Sequence, residues 1–423
     1  LEKICARLLL FSLAPFCVFG QINAKRLSLH EAVNIALSNN ANIKKATENI
    51  SATDGRFWSG ISLPQPEIGV SYQYTPVNSG LSNFGERTFE VKQSIEFPYI
   101  YFLKGSRLNK EKEIAVYNLE LTKLTLTNQV KTSYYRVLAK QHQVKYAEEN
   151  LKISEAFFKK TEVGQIAGEA TNLEKLTAKV QNADALNNLE TAKNEFATAW
   201  AELNYALGFG RQNYDYGWEL TDSLSFADYK ITLERLYESI DQTNPQIKTS
   251  ELTKTITSIE KDIAWSSLLP NINLSYFRQT RDGNNGFYGA SFGISVPLWF
   301  MFEQKGNIQT ATANQSIAES EALLAKSEIA LKLKNAFADF ENCSRQAKLY
   351  ANDILPQAEE IHKSAIKSYD AGELTYFEYL QAKQTLINSR NSYVGALFSY
   401  YQSVFRIEEI SGQNIIDKSE LEK

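Results

Sequence analysis

The tetrapeptide Gly168-Glu169-Ala170-Thr171, followed by Ala178-Lys179, returns as Gly372-Glu373-Leu374-Thr375, followed by Ala382-Lys383. The same 204-residue offset, from 168 to 372, carries Ser28-Leu29 onto Thr232-Leu233, Asn40 onto Asn244, Ile43 onto Ile247 and Gly208 onto Gly412. One register held from residue 28 to residue 412 makes the chain a tandem duplication of a single long unit. Each unit carries a glycine turn between two helical stretches. The sequence divides into a signal segment 1–20, a first repeat 21–210, a connector 211–230, a second repeat 231–412 and a tail 413–423.

Lys3 and Arg7 precede an apolar run from Leu8 to Phe19, which reads as an export signal cleaved before Gln21. Lipidation at Cys17 would need small residues before it, where Pro15 and Phe16 stand. With Cys5 and Cys17 in the signal, Cys343 remains alone, so no internal disulfide and no zinc site are expected. A formal charge of −4 supplies no basic field for nucleic acid. There is no nucleophile elbow, P-loop, dinucleotide fingerprint or paired-histidine metal motif, and His30, His142 and His362 are scattered. The chain reads as a non-enzyme, with no cofactor and no bound metal expected.

Ser28 and Glu31 form a capping box that opens a helix expected to reach Leu63, ahead of Pro64 and Pro66. Strict alternation follows in Ile68, Val70, Tyr72 and Tyr74 against Gly69, Ser71 and Gln73, then in Phe89, Val91, Ile95 and Phe97 against Glu90, Lys92, Ser94 and Glu96. That is a β-hairpin with one apolar and one polar face. From Tyr99 to Glu162 only Gly105 interrupts a helical run on the order of 90 Å long, which Gly164 and Gly168 are expected to break. A helix over 171–207 returns antiparallel. After the connector the plan repeats: a helix from Thr232 to Leu269, strands at 271–277 and 287–296, a helix over 302–369 kinked at Pro356, the Gly372 turn, and a last helix to Ile410.

No run of eighteen or more apolar residues follows the signal, so no transmembrane helix is expected. The four strands instead have the length and alternation of transmembrane strands, and aromatics cluster at their ends: Tyr99, Tyr101 and Phe102, then Trp299, Phe300 and Phe302. Four strands cannot close a barrel, because the smallest membrane barrels use about eight. Strands that span a membrane would therefore have to be shared among copies. The competing reading is a periplasmic coiled-coil tether without a pore, its hairpins forming a small soluble sheet.

These residues resemble the TolC family of bacterial outer-membrane efflux proteins over essentially the whole mature chain, Leu27 to Gly412. The resemblance rests on Leu27-Ser28-Leu29-His30-Glu31-Ala32-Val33 with Ala36-Leu37 and Asn40, on hairpins ending in Phe97-Pro98 and Val296-Pro297, on the paired Gly-Glu-x-Thr turns, and on Leu207-Gly208 and Ser411-Gly412. Within the family, the run Phe89 to Pro98 looks most like the heavy-metal branch of CzcC- and CusC-like channels. The fold implied is mostly α with a transmembrane β-barrel part: a homotrimer sharing twelve strands in the outer membrane above a helical periplasmic tunnel. The resemblance further implies a membrane-fusion adaptor, an inner-membrane pump of the RND type, and export of heavy-metal cations or drugs. An exit duct for type I secretion is the alternative within the same architecture.

Ile68, Val70, Tyr72, Tyr288, Phe292 and Ile294 are expected to face lipid, and Ser71, Gln73, Ser291 and Ser295 the lumen. By resemblance, Val163, Gly164, Gly168, Glu169, Thr171, Ala371, Gly372, Glu373 and Thr375 form the periplasmic tips that the adaptor grips. Asp370 has no acidic counterpart at Ile166; with Glu373 and Glu169 it would set a carboxylate ring at the narrow end, or else pair with Lys367 on its own helix.

Overall fold

The computed structural model describes residues 25–168, 170–209 and 218–415. The export signal, Glu169, residues 210–217 of the connector region and the end of the tail lie outside the described residues.

The Ser28–Glu31 capping box starts helix α1 (Leu29–Asn39), with Ser28 N–H donating to the Glu31 carboxylate at 2.9 Å. The single helix expected to Leu63 is two, because Asn40 is extended (ψ 129°) and α2 runs Ala41–Gly60. The Asn40 side chain makes the break: its Oδ1 accepts from Asn42 N–H at 2.9 Å, and its Nδ2 donates to the Ala206 carbonyl at 3.2 Å, at the end of α4 (Asn172–Ala206). The second repeat builds the same joint. Helix α5 (Leu233–Thr243) stops at Asn244, whose Oδ1 accepts from Gln246 and Ile247 N–H at 2.9 and 3.0 Å. Asn244 Nδ2 donates at 2.8 Å to the Ile410 carbonyl in the last turn of α9 (Tyr376–Ser411). The expected helix from Thr232 to Leu269 is therefore also split, and α6 (Pro245–Ser266) opens on a proline whose missing N–H costs nothing at the first helical position.

Gly208 and Gly412 complete the joint at φ +84° and +69°. A Cβ on Gly208 would lie 2.9 Å from the Asn39 carbonyl carbon, and one on Gly412 would lie 2.8 Å from the Thr243 carbonyl oxygen. The duplicated asparagines and glycines are thus two sides of one contact, in which the last helix of each repeat closes onto its first.

Helix α3 (Pro98–Ala167) has 70 residues, about 105 Å at 1.5 Å per residue. Gly164, expected to break it, stays helical; Gly168 at φ +81° ends it instead. Helices α7 (Glu303–Leu349) and α8 (Leu355–Asp370) are joined by a π-helical turn at Tyr350–Ile354. Pro356 has no N–H for the usual helical bond, and the ladder accommodates this one turn earlier. Helix α3 packs along α4, and α7 and α8 along α9, so each repeat presents one antiparallel helical pair.

The pairs meet at a belt of core residues where Tyr134, Leu203, Leu333, Tyr400 and Phe405 are fully buried. A two-stranded parallel sheet that the sequence did not reveal, β1 (Lys25–Leu27) with β4 (Trp218–Leu220), covers this belt. Tyrosines stitch β1 and the connector to it: Tyr134 Oη donates to the Leu27 carbonyl at 2.8 Å, Tyr400 Oη to the Ala227 carbonyl at 2.6 Å and Tyr401 Oη to the Ser225 carbonyl at 2.7 Å. Beside them Lys131 and Glu408 form an ion pair of 2.7 Å, both nine-tenths buried.

The second sheet is antiparallel, in the order β2 (Glu67–Gln73), β3 (Glu86–Ile95), β5 (Asn271–Arg281), β6 (Asn284–Ser295). The two hairpins of the duplication are joined by β3–β5 pairing, so among the described residues the sheet has two free edges, β2 and β6. The second hairpin is tighter than strands at 271–277 and 287–296 would leave it: Asp282 and Gly283, at φ +47° and +78°, make a two-residue turn with the left-handed backbone that a type I′ hairpin requires.

The joint can be tested by comparing two glycines that share the left-handed conformation. Gly372 at φ +76° has open space where a Cβ would stand, whereas Gly412 faces backbone. Gly372→Ala should cost about 1 kcal/mol of conformational strain. Gly412→Ala should cost distinctly more, read as a larger drop in thermal midpoint of the purified protein; equal drops would remove the joint as a constraint.

Candidate functional site

Cross-strand register sorts the sheet residues by face, since paired residues of antiparallel strands lie on the same side. Ile68 pairs with Val91, which pairs with Tyr276 and through it with Ala290. Val70 pairs with Phe89, and the row continues to Arg278 and Tyr288. Gln93, Leu274 and Phe292 form another row, and Ile95, Ile272 and Ile294 the last. All six residues expected to face lipid therefore share one face. Ser71, Gln73, Ser291 and Ser295 share the other, with Glu90, Lys92 and Ser275. On that polar face Phe277 lies over Gly289, where a Cβ would come within 2.5 Å of its ring.

Exposure is inverted relative to a soluble sheet over part of β3 and β5, whereas β2 is exposed on both faces and Ser71, Gln73, Ser291 and Ser295 are exposed like their apolar neighbours. Toward the hairpin turns Phe89, Leu274 and Tyr276 are exposed, while their polar alternates Thr88, Glu90, Ser275 and Gln279 are half-buried. Along β6 Tyr288, Phe292 and Ile294 are all exposed. At the opposite end of the sheet Tyr99, Phe102, Trp299, Phe300 and Phe302 form an exposed belt where strands pass into helices; Tyr101 is half-buried, with Lys104 Nζ 5.6 Å from its ring centre.

The turns at the far ends of the helices are built alike. Gly168 closes α3, Ala170 N–H donating to the Gly164 carbonyl at 3.2 Å; Gly372 follows α8, and Glu373 N–H donates to the Ser368 carbonyl at 2.9 Å. Thr171 and Thr375 then cap α4 and α9. Thr171 N–H donates to the Glu174 carboxylate at 2.7 Å, and Thr375 N–H to that of Glu378 at 2.8 Å. These hydrogen bonds from Thr375 hold the Glu378 carboxyl below its usual range. The capping glutamates are a further pair at the 204-residue offset that sequence reading missed; the signal was Thr-x-x-Glu at 171–174 and 375–378. Val163 and Ile166 stand exposed beside the first turn, and Gly168 and Gly372 both have open space where a side chain would grow.

Asp370 meets Lys160 of α3 at 2.7 Å rather than Lys367 of its own helix. Lys160 also lies 5.1 Å from the Tyr369 ring centre. Both members of the pair are more than half exposed, so the pair contributes about 0–1 kcal/mol. It crosses from one helical hairpin to the other. Above it Phe157 of α3 stacks on Tyr376 and Tyr379 of α9 at 4.9 and 5.2 Å between ring centres. Farther along this seam Arg390 reaches Glu149 at 2.8 Å and Glu359 at 3.5 Å, over the face of Tyr146. Lys383, buried, donates to Ser154 Oγ at 2.6 Å. Burial pushes its pKa down to about 8. His362, also buried, lies against the Tyr379 ring with its Nε2 unpartnered. Its pKa is lowered by burial and by the Arg390 and Lys383 charges.

Both shifts mean that the packed seam disfavours the protonated forms. For His362 the open or unfolded chain takes up a proton first as pH falls through 6.5, so stability is lost on acidification. The thermal midpoint should therefore fall from about pH 7.5 to about pH 5, and fall less in His362→Gln. An identical pH profile in the variant would free the histidine of this role.

The comparisons with known proteins agree with this geometry. The cobalt-zinc-cadmium resistance protein CzcC of Cupriavidus metallidurans is 22% identical over 403 residues, covering 94% of this chain and 92% of that protein. A membrane protein from Pseudomonas aeruginosa superimposes with a TM-score of 0.79 at 15% identity, over 90% of each chain. Crystal structures of CusC match with a TM-score of 0.76 at 14% identity, over 91% of this chain and 92% of that one. The outer membrane efflux protein model matches twice, at residues 32–209 and 236–413, once for each repeat, and this chain belongs to that family.

Proposed function

We propose that the chain is the outer-membrane duct of a three-part efflux assembly and that its cargo is divalent transition-metal cations. As a family member it is an efflux channel of the outer membrane, with its helices in the periplasm. The observation that carries the mechanism is the open sheet: an apolar face left exposed at Val70, Tyr288, Phe292 and Ile294 and, among the described residues, two unpaired edges on one four-stranded unit. An open edge exposes a row of unpaired N–H and C=O groups, and a membrane has no water to satisfy them. Pairing β6 of one copy with β2 of the next removes both edges. Three copies give twelve strands, within the range of closed membrane barrels. The chain does no chemistry on its cargo; it supplies a polar conduit, and an inner-membrane pump of the RND type supplies the driving force through a periplasmic adaptor.

The metal cargo is supported by the CzcC relative, whose name assigns it to cobalt, zinc and cadmium resistance. In a strain lacking its own channel, this protein with its cognate pump and adaptor should restore growth on zinc or cobalt salts. Restoration against drugs but not metals would reassign the cargo.

Two substitutions test the barrel. A cation on the lipid face costs about 2–4 kcal/mol at the bilayer midplane, whereas the lumen tolerates it. Val70→Arg should block trimer assembly in the outer membrane, and Ser71→Arg, one residue along the same strand, should assemble. Equal behaviour would refute the facing.

The tips test the adaptor contact. Because Gly372 faces open space, a large side chain there meets nothing in its own chain. Gly372→Trp should leave trimers intact while abolishing metal resistance and adaptor crosslinking. Retained resistance would leave these glycines as turn residues only.

A further inference from the structure

The apolar face of the sheet carries two guanidiniums. Register puts Arg87 of β3 in the row of Tyr72 and Thr280, and Arg278 of β5 in the adjacent row between Phe89 and Tyr288. They occupy diagonal positions on neighbouring strands, within reach of one another's long side chains. Both are exposed, and among the described residues neither has a carboxylate within 4.0 Å. The nearby acids are engaged elsewhere: Glu90 with Lys92 at 3.0 Å, Glu86 with Gln279 and Asp282 with Arg281 at 3.8 Å. Arg87 instead stands over the Phe84 ring, 5.5 Å from its centre. The two arginines line one crevice of about 650 Å³ with Tyr72, Phe89, Tyr276 and Thr280.

Two like charges held together on an apolar surface are unfavourable unless something anionic joins them. Their height on the sheet says what that is. From the Ile95 row to the Arg87 row is eight residues, about 26 Å along the strand. At a strand tilt of 35–45° this is about 20 Å of height, which carries Arg87 from the aromatic belt across most of an apolar band of about 25 Å, with Arg278 two residues, about 5 Å of height, below it. Arg87 lies in the row of Thr280, two residues before the Asp282-Gly283 turn, and Arg278 lies four residues before it, in the outer part of the band from which long cationic side chains reach headgroup level. Tyr72, Tyr276 and Tyr288 surround them, amphipathic rings that suit the level of lipid headgroups.

We propose that Arg87 and Arg278 form a binding site for the phosphate of an outer-leaflet lipid, with two guanidiniums chelating one headgroup and the tyrosines packing along the top of its acyl chains. The fork of each guanidinium suits phosphate oxygens, and a pair of them gives bidentate recognition that a single surface charge does not. The inference rests on the reading that this face meets lipid. A closed trimer would carry three such sites around its outer rim, each within one protomer.

The test uses the full-length trimer in detergent, incubated with phosphorylated lipid A or with its dephosphorylated form, and counts retained lipid by native mass spectrometry. Wild-type trimers should retain phosphorylated lipid A at least about tenfold better than Arg87→Gln/Arg278→Gln trimers, and Arg87→Lys/Arg278→Lys should fall between. Dephosphorylated lipid A should be retained poorly by all three. Single-channel conductance of the double glutamine variant should equal that of wild type, showing that the barrel is intact. Equal retention of phosphorylated lipid A by wild type and the glutamine variant would overturn the proposal. Displacement of the lipid by millimolar inorganic phosphate would also overturn it, identifying a site for the free ion. The Val70→Arg and Ser71→Arg pair reads the facing separately: unequal assembly with equal lipid retention sinks only the arginine site.

Discussion

The contact between Asn40 and the Ala206 carbonyl, repeated between Asn244 and the Ile410 carbonyl, is the constraint on which the long architecture depends. Each repeat is a chain of helices whose first and last members are brought together at this joint. The asparagine interrupts the first helix, caps the next one with its oxygen, and binds the end of the last helix with its nitrogen. The following glycine allows the backbones to meet, since a Cβ at Gly208 or Gly412 would collide with main chain. With these ends fixed, the helical pairs leave the core belt in a defined direction and can run on the order of 100 Å without losing register.

At the other end, the sheet is defined by what it lacks. A soluble sheet buries its apolar face, while this one exposes Val70, Tyr288, Phe292 and Ile294 and half-shields Thr88, Glu90 and Ser275. Among the described residues neither edge is paired. Lipid and further copies of the chain resolve both deficits together, so assembly and membrane insertion are one requirement. The arginine rows fit the same frame, because they sit in the outer part of the apolar band, within reach of the headgroups.

The seam between the two helical hairpins combines strong apolar contacts with costly polar ones. Phe157 stacked between tyrosines holds the hairpins together without regard to pH. Buried Lys383 and His362 oppose that packing to a degree set by protonation, and the Arg390 bridge to Glu149 and Glu359 spans the same gap. An opening along this seam would hydrate the lysine and the histidine and separate the stacked rings.

The duplication, the alternating faces and the turn glycines were legible in the sequence because each depends on local periodicity or on backbone conformation at a single residue. Val70 and Ser71 could be sent to opposite faces from alternation alone, and Gly372 could be read as a left-handed turn from its place between two helices. Asn40 and Gly208 were visible as matched positions, yet their joint was not, since it forms between groups 166 residues apart. Still longer distances in sequence hid the pairing of β1 with β4, Lys160 with Asp370 and Lys383 with Ser154. Glu174 and Glu378 were local and could have been found. Arg87 and Arg278 acquired meaning only when register placed them in neighbouring rows of one face. The sequence by itself determined the repeat, the helical and strand periods and the polarity of each face, because side-chain pattern follows backbone period. The tertiary structure decided which helix ends meet, which charges pair and which edges stay open, because those depend on distances between segments that no local pattern encodes.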